Sequence, residues 1–255
     1  MRKNIILAGV GGQGILSIAY VIDHAALGAG LQFKQAEVHG MAQRGGAVQS
    51  HLRYSDGEIH SDLIPTGMTD LVLSIEPLEV MRYWHTLSPE GWVVTSVTPY
   101  VNIPDYPAMD DLLGDLAGFA NIVMVDTGQI AKAAGNLRAQ NMAAIGAASP
   151  LLGFEDDQLL HPIRQLFAGK GASVVEVNTR AYHLGRSAGM FFRGLVDGGM
   201  AALAAVKVCQ KLAPETIDPA HAAAWADAIG RDETKLGALL SIEGSLSCES
   251  LPVFA

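Results

Sequence analysis

The chain has 255 residues, which suits one compact domain or one domain with an appendage. Apolar residues make up 49% of it and charged residues only 17%, which excludes an intrinsically disordered protein. The net charge of -9 argues against a nucleic-acid-binding protein, and the two cysteines exclude a disulfide framework, a zinc ribbon and a self-contained iron–sulfur cluster.

The first elements along the chain predict the opening of a doubly wound sheet. Residues 5–8 are a short apolar run, typical of a strand that is buried on both faces. From Gly14 apolar residues recur at helical spacing as far as Gly28, and a second strand is predicted at residues 31–36. Strand, glycine turn, helix and strand in this order are the beginning of a Rossmann-like α/β fold.

The middle of the chain predicts an antiparallel hairpin. Residues 48–54 and 58–64 alternate with a period of two, and Ser55-Asp56-Gly57 supplies a turn between them. A helix is predicted to begin at Pro77 and to end near residue 87. Apolar runs predict further strands at residues 70–75, 91–97 and 121–125.

Beyond residue 127 the sequence becomes rich in alanine and predicts helices. They are expected at residues 128–138, 140–148, 156–168, 172–188 and 190–212, with one or two short helices within 220–241. Pro214 and Pro219 mark a linker, so we predict a main domain at 1–212 and a helical extension at 213–255. The fold class is therefore α/β, with three layers, a mainly parallel sheet, one antiparallel hairpin and a helical C-terminal region.

Two glycine-rich segments are the candidate functional site. Gly9, Gly11 and Gly14 fit G-x-G-x-x-G between a strand and a helix, and Glu37 is the acid that a NAD site would add after the second strand. The same glycines also suit tight helix–strand packing without a nucleotide. The second segment, residues 37–53, clusters polar side chains beside the predicted sheet.

The charge around these segments points to an anionic small ligand. Residues 1–54 hold five Lys or Arg and two acidic residues, although the chain as a whole is acidic. The residues predicted to bind the ligand are Gly9, Gly11, Gly12, Gln13, Gly14, His39, Gln43, Arg44, Gly45 and Gly46. No catalytic acid, base or nucleophile can be assigned. The spacings of His39, His51 and His60 match no metal site, so hydrogen-bonded or solvated histidines are expected.

The two segments together resemble the gamma-type domain of the 2-oxoacid:acceptor (ferredoxin) oxidoreductases. The resemblance is carried by the glycine segment 9–14 and by Gly40-Met41-Ala42-Gln43-Arg44-Gly45-Gly46. It continues through residues 50–53, 62–65, 70–73, 76–82 and 141–147, Asn102 and Asn178, and it covers roughly residues 1–190. Within the family the motifs are most similar to the beta subunit of two-subunit enzymes that oxidise aryl 2-oxoacids such as indolepyruvate.

The resemblance implies an enzyme subunit that is inactive without a large alpha subunit. That partner would carry thiamine diphosphate and 4Fe-4S clusters, coenzyme A would be the co-substrate, ferredoxin would accept the electrons, and this chain alone would hold no cofactor. The family subunits commonly end near residues 178–185 or slightly beyond, so the chain's continuation to residue 255 keeps another 2-oxoacid open as substrate.

Alternatives from other classes are a free-standing Rossmann-type NAD(P) oxidoreductase and a regulatory module that binds an anionic metabolite. The first residues contain no apolar run long enough for a signal peptide, and no run of about 18 apolar residues occurs, so a cytoplasmic protein without a membrane span is expected.

Overall fold

The computed structural model describes residues 1–37 and 45–251. Within these residues a six-stranded sheet has the order β2-β3-β1-β4-β5-β6. β1, β4, β5 and β6 are parallel to one another, whereas β3 runs antiparallel to both of its neighbours, β1 and β2. The strands are β1 (Arg2–Val10), β2 (Gln32–Glu37), β3 (Ala47–Ser55), β4 (Thr69–Ser74), β5 (Leu87–Ser96) and β6 (Ile122–Val125).

Helices connect the strands and form most of the C-terminal half of the chain. Those before residue 170 are α1 (Ile15–Gly28), α2 (Pro77–Tyr83), α3 (Met109–Leu116), α4 (Thr127–Ala134), α5 (Gln140–Leu152) and α6 (Asp156–Phe167). They are followed by α7 (Ala172–Asp197), α8 (Ala202–Lys211), α9 (Ala222–Ile229) and α10 (Glu233–Ser241). In the described part of the chain, none of these helices combines the length and the apolar character that a membrane crossing needs.

The two faces of the sheet bury different amounts of apolar surface. Ile5 and Leu7 of β1 join the main core, which α1 and α5 cover. Ile6 points to the opposite face, where it packs in a small cluster with Val72 and Tyr83 of α2. The alternation along β1 thus separates two layers of helices. This arrangement confirms the predicted α/β fold with a mainly parallel sheet.

The sheet does contain an antiparallel strand, β3, but the predicted hairpin of residues 48–54 with residues 58–64 was wrong. β3 pairs with β2 on one edge and with β1 on the other, so neither edge is free to pair with residues 58–64. Side chains of β3 hold that segment instead: Arg53 Nη1 donates to the carbonyl oxygens of Ser61 and Leu63, and His51 Nδ1 accepts from the Ile64 N–H.

The predicted helix boundary at residues 188–190 was also wrong. α7 continues to Asp197 and ends at Gly198, and Gly199 has a φ of +93°. Gly189 lies inside α7, at a point where the helix packs against α5. A Cβ on Gly189 would come within 2.9 Å of the Ala147 Cα on α5, so only glycine fits there. This glycine therefore permits close packing of two helices rather than ending one.

The region after residue 212 packs on α7. Trp225 of α9 is only 1% exposed, and its Nε1 donates to the Cys248 carbonyl oxygen over 2.8 Å. Two alanines of α9 lie against glycines of α7. A Cβ on Gly194 would come within 2.6 Å of the Ala222 Cβ, and a Cβ on Gly198 would come within 2.6 Å of the Ala226 Cβ. The two short predicted helices are α9 and α10, and the domain boundary near residue 213 stays a prediction.

Candidate functional site

The first glycine segment forms the turn between β1 and α1. Gly12 and Gly14 have φ angles of +102° and +86°, which L-residues with a side chain rarely adopt. Gly14 also lies against Asn141 of α5, since a Cβ on Gly14 would come within 2.6 Å of Asn141 Nδ2. Backbone conformation therefore requires glycine at both positions, and packing requires it at Gly14.

Gly9 and Gln13 stabilise the turn itself. Gln13 folds its side chain back, so that its Oε1 accepts a hydrogen bond from the Val10 N–H over 2.7 Å. A Cβ on Gly9 would come within 2.9 Å of that same oxygen. Gly9 thus leaves room for the Gln13 carboxamide, and both residues shape the loop from within.

The structure brings the second glycine segment to the first. The Gly11 N–H donates to the Gly46 carbonyl oxygen over 2.8 Å, and the Gly45 N–H donates to the Gly11 carbonyl oxygen over 3.2 Å. These bonds extend the β1–β3 ladder beyond Val10 and Ala47. Of the other predicted ligand-binding residues, His39, Gln43 and Arg44 lie outside the described residues.

This pairing removes two features that a dinucleotide site would use. The Gly11 N–H is already bonded, so it is not available to a phosphate. Glu37 does end β2, as expected, but β3 lies between β2 and β1. Glu37 is therefore two strand spacings, roughly 9–10 Å, from β1, whereas a dinucleotide site would place its acid on the strand next to β1. A cavity of about 390 Å³ separates the glycine turn from Glu37.

A second crevice lies at the carboxyl ends of β1 and β4. The chain leaves β1 through α1 toward β2, and it leaves β4 through α2 toward β5, in the opposite direction along the sheet. Neighbouring parallel strands with diverging connections form the switch point at which open α/β sheets bind ligands. Here a cavity of about 400 Å³ is lined by the glycine turn 11–14, Thr98, Tyr100, Arg138 and Asn141.

The segment that follows β5 forms one wall of this crevice. Buried Glu76 accepts hydrogen bonds from the Tyr106 hydroxyl and, over 3.4 Å, from the Tyr100 N–H. Burial and the hydrogen bond to Glu76 raise the pKa of Tyr106. Asn102 Nδ2 donates to the Gly45 carbonyl oxygen over 2.8 Å. This wall is thereby tied both to α2 and to the paired glycine segments.

Sequence reasoning missed the wall and Arg138 as parts of the site. The available signal was the end of β5, since the carboxyl ends of neighbouring parallel strands meet at one edge of a sheet. Arg138 gives no local signal, because it lies in a single helical turn far along the chain from the glycines.

The histidines and cysteines do not form a metal centre within the described residues. His51 is hydrogen bonded to the Ile64 N–H, as expected, and burial together with nearby Arg53 lowers its pKa. His60 is exposed beside Glu58, and His39 lies outside the described residues. Cys209 and Cys248 are both buried thiols. Two cysteines are too few to hold a 4Fe-4S cluster, which takes four.

Relatives of known name match most of this chain. The family described as pyruvate ferredoxin/flavodoxin oxidoreductase matches residues 4–188. The indolepyruvate oxidoreductase subunit IorB of Methanothermobacter thermautotrophicus is 37% identical over 72% of this chain and 96% of its own length. The protein of the same name from Thermococcus kodakarensis is 35% identical over 75% of this chain and 98% of its own length.

Solved structures share the fold at lower identity. The gamma subunit of a keto/oxoacid ferredoxin oxidoreductase from Geobacter sulfurreducens superposes with a TM-score of 0.55 at 22% identity, covering 74% of this chain and 98% of its own. The 2-oxoglutarate:ferredoxin oxidoreductase from Magnetococcus marinus, with 2-oxoglutarate, coenzyme A and succinyl-CoA bound, superposes with a TM-score of 0.57 at 19% identity. That match covers 78% of this chain and 37% of the other.

Proposed function

Since this chain belongs to the pyruvate ferredoxin/flavodoxin oxidoreductase family, we propose that it is the small subunit of a 2-oxoacid:ferredoxin oxidoreductase that acts on aryl 2-oxoacids such as indolepyruvate. The observation that carries the proposal is the similarity to four proteins named indolepyruvate oxidoreductase subunit IorB, at 34–37% identity across 93–98% of their lengths. A 2-oxoglutarate synthase subunit, KorC, matches only 50% of its length, which favours the aryl substrate over that alternative.

In the proposed reaction the 2-oxoacid loses carbon dioxide, its acyl group passes to the coenzyme A sulfur with release of the thiol proton, and two electrons pass to two molecules of ferredoxin. Thiamine diphosphate and 4Fe-4S clusters would supply the decarboxylation and the electron transfer. The two buried cysteines of this chain cannot hold such clusters, so we assign both groups to a large alpha subunit and expect this chain to be inactive alone. The complex is proposed to be cytoplasmic.

The role proposed for this chain is to form part of the coenzyme A site. The paired glycine segments and the switch-point crevice support this role, because they place Arg138 beside a turn that can approach a ligand closely. The residues proposed to form this site are Gly9, Gly11, Gly12, Gln13, Gly14, His39, Gln43, Arg44, Gly45 and Gly46. Gly9 and Gln13 would act by shaping the turn, and Gly11 through the ladder that joins the two segments.

The first experiment is a gentle tagged purification from the native host. A brown preparation with a large cysteine-rich partner, which reduces a viologen dye when given indolepyruvate and coenzyme A, is the expected result. Phenylglyoxylate, pyruvate and 2-oxoglutarate are the comparison substrates. A colourless chain that purifies alone and quenches NADH fluorescence on titration would overturn the proposal in favour of a NAD(P) oxidoreductase.

A second experiment addresses the coenzyme A contact. In the purified complex, Arg44→Ala is expected to raise the KM for coenzyme A about tenfold, which corresponds to one lost charge-assisted phosphate contact of about 1.4 kcal/mol. Arg231→Ala is the matched control, since Arg231 lines neither the switch-point crevice nor the cavity between the glycine turn and Glu37. An unchanged KM in Arg44→Ala would remove that arginine from the site.

A further inference from the structure

A polar cleft of about 380 Å³ opens between the N-terminal turns of α7 and the helical turn Leu137–Ala139. Its polar lining includes Asn136, Arg138, Asn141, Lys170, Ser173 and Asn178. Phe167, Val174 and Val177 give it one apolar wall. The predicted glycine site does not include this cleft, and neither of its cations lies near the glycines in the sequence.

The charge of the cleft is opposite to that of the chain. Arg138 and Lys170 both line it, whereas no carboxylate does so among the described residues. Neither cation forms an ion pair within the described part of the chain, and Lys170 Nζ lies 5.3 Å from the centre of the Phe167 ring. Two unpaired cations without a facing acid, in a protein with a net charge of -9, make the cleft an attractive place for an anion.

Two buried amides in the lining have an unused polar atom each. Asn141 and Asn178 are both only 6% exposed. Asn141 Oδ1 accepts from the Met142 N–H over 3.0 Å, which identifies Nδ2 as its free donor. Asn178 Nδ2 donates to the Val174 carbonyl oxygen over 2.8 Å, which identifies Oδ1 as its free acceptor. Neither atom is hydrogen bonded to another described residue, and neither is shut off from solvent, so each can reach a ligand in the cleft.

The cleft is continuous with the switch-point crevice. Arg138 and Asn141 line both cavities, and Asn141 Nδ2 lies directly over Gly14. Ser17 of α1 lines both the cleft and the cavity on the far side of the glycine turn. A ligand anchored at Lys170 can therefore extend past Arg138 to the carboxyl ends of β1 and β4.

We propose that this cleft binds a phosphorylated nucleoside, and that this chain binds it without help from a partner. Arg138, Lys170 and Asn141 Nδ2 match a phosphate, Asn178 Oδ1 matches a hydroxyl or amino donor, and the apolar wall matches the flat body of a base. The volume falls within the range of small-ligand sites. The ligand is either the nucleotide end of coenzyme A, a source that rests on the proposed function, or a free nucleotide.

Isothermal titration calorimetry of the full chain tests this. Adenosine 3′,5′-bisphosphate is expected to bind at least ten times more tightly than adenosine. Lys170→Ala is expected to weaken its binding about tenfold, and higher salt should reduce that difference. Asn178→Ala tests the acceptor. Lys132→Ala is the matched control, because Lys132 is an exposed cation of α4 that does not line the cleft.

The ligand series distinguishes the sources. Tighter binding of coenzyme A than of dephospho-coenzyme A, with weak binding of AMP, identifies the nucleotide end of coenzyme A. Equal or tighter binding of AMP or ADP identifies a free nucleotide. The inference is overturned if no phosphorylated adenosine binds at millimolar concentration, or if Lys170→Ala binds as the wild type does. It is independent of dye reduction by the complex, so its failure and that of the proposed function are separately visible.

Discussion

The Gly11 N–H and the Gly46 carbonyl oxygen are joined by a hydrogen bond of 2.8 Å. Gly11 belongs to the turn between β1 and α1, and Gly46 directly precedes β3, so this bond unites two segments that are 35 positions apart in the chain. It also uses an amide that a dinucleotide-binding turn would direct at a phosphate. The proposed anionic ligand would therefore need side chains as well as the turn to hold it, and Arg138 of the switch-point crevice is a described cation of that kind.

Gly14→Ala tests the conformational demand of the turn. A left-handed φ costs a residue with a Cβ roughly 1–2 kcal/mol, and the clash with Asn141 adds to that cost. We therefore expect a loss of about 2 kcal/mol or more in the free energy of unfolding, measured by urea denaturation. Gly28→Ala is the control, because a Cβ there meets nothing within 4 Å. Equal midpoints for the two variants would contradict the expectation.

Gly185→Ala tests the crossing of α5 and α7. A Cβ on Gly185 would come within 2.1 Å of the Ala143 carbonyl oxygen, and backbone atoms cannot move aside as a flexible side chain can. A loss of more than about 3 kcal/mol, or failure to fold, is expected. By contrast, Gly237→Ala in α10 meets no atom within 4 Å and should gain up to about 1 kcal/mol from helix propensity. A tolerated Gly185→Ala, measured by thermal unfolding, would mean that the helices cross less closely.

Because Asp23 is buried, the free energy of unfolding is expected to depend on pH. Burial, with the nearby Glu37 charge, raises the pKa of Asp23 from 3.8 to about 7 in the folded protein, and its Oδ1 has no hydrogen-bond partner among the described residues. Because the folded pKa is the higher one, this aspartate contributes stability below about pH 4 that is lost as the pH rises toward 7. The shift corresponds to at most about 4 kcal/mol.

Asp23→Asn removes that titration. The variant should therefore gain on the wild type in free energy of unfolding between roughly pH 4 and pH 7, and the difference should stay constant above that range. Urea denaturation at three or more pH values measures it. Asp227→Asn, at an exposed position of α9, serves as the control. Parallel pH profiles for the wild type and Asp23→Asn would show that Asp23 is ionised in the folded protein throughout.

Part of this site could be predicted from the sequence, because part of it is local. The turn 9–14, α1 and the position of Glu37 follow from glycine punctuation and apolar spacing, both of which act over neighbouring residues. The insertion of β3 between β1 and β2 does not. That pairing depends on strand edges far apart in the chain, so the alternation of residues 58–64 equally suggested a hairpin that tertiary structure rejects.

The polar cleft between α7 and the turn Leu137–Ala139 could not be predicted from the sequence for the same reason. No local pattern marks Lys170 or Arg138 in the sequence, and the packing of α5 against α7 brings both cations into one cleft with Asn141. Similarly, Gly189 suggests the end of a helix in the sequence, whereas the structure shows that it is glycine because α7 packs closely against Ala147 of α5. Local patterns specify where elements form, whereas contacts between elements decide which polar groups share a cavity.

Tyr106→Phe tests the anchoring of the crevice wall. The variant loses the hydroxyl that donates a hydrogen bond to Glu76. The free energy of unfolding should fall by about 1–3 kcal/mol, and hydrogen exchange of the backbone amides at residues 98–106 should become faster. Tyr100→Phe is a matched control, since Tyr100 is 47% exposed and its hydroxyl donates no hydrogen bond within the described part of the chain. If both variants exchange at the wild-type rate, Tyr106 does not hold the wall in place.

Trp225 tests whether the region after residue 212 completes the fold or holds a partner. Trp225→Ala removes a fully buried ring and should cost about 3–5 kcal/mol, whereas Trp225→Phe loses mainly the hydrogen bond to Cys248 and should cost about 1–2 kcal/mol. Because α9 packs on α7 through Gly194 and Gly198, we expect the folded Trp225→Ala chain to assemble normally with the proposed large subunit at low temperature. Size-exclusion chromatography of the complex measures this. Loss of assembly by a variant whose circular dichroism shows it to be folded would assign the region a direct role in holding the partner.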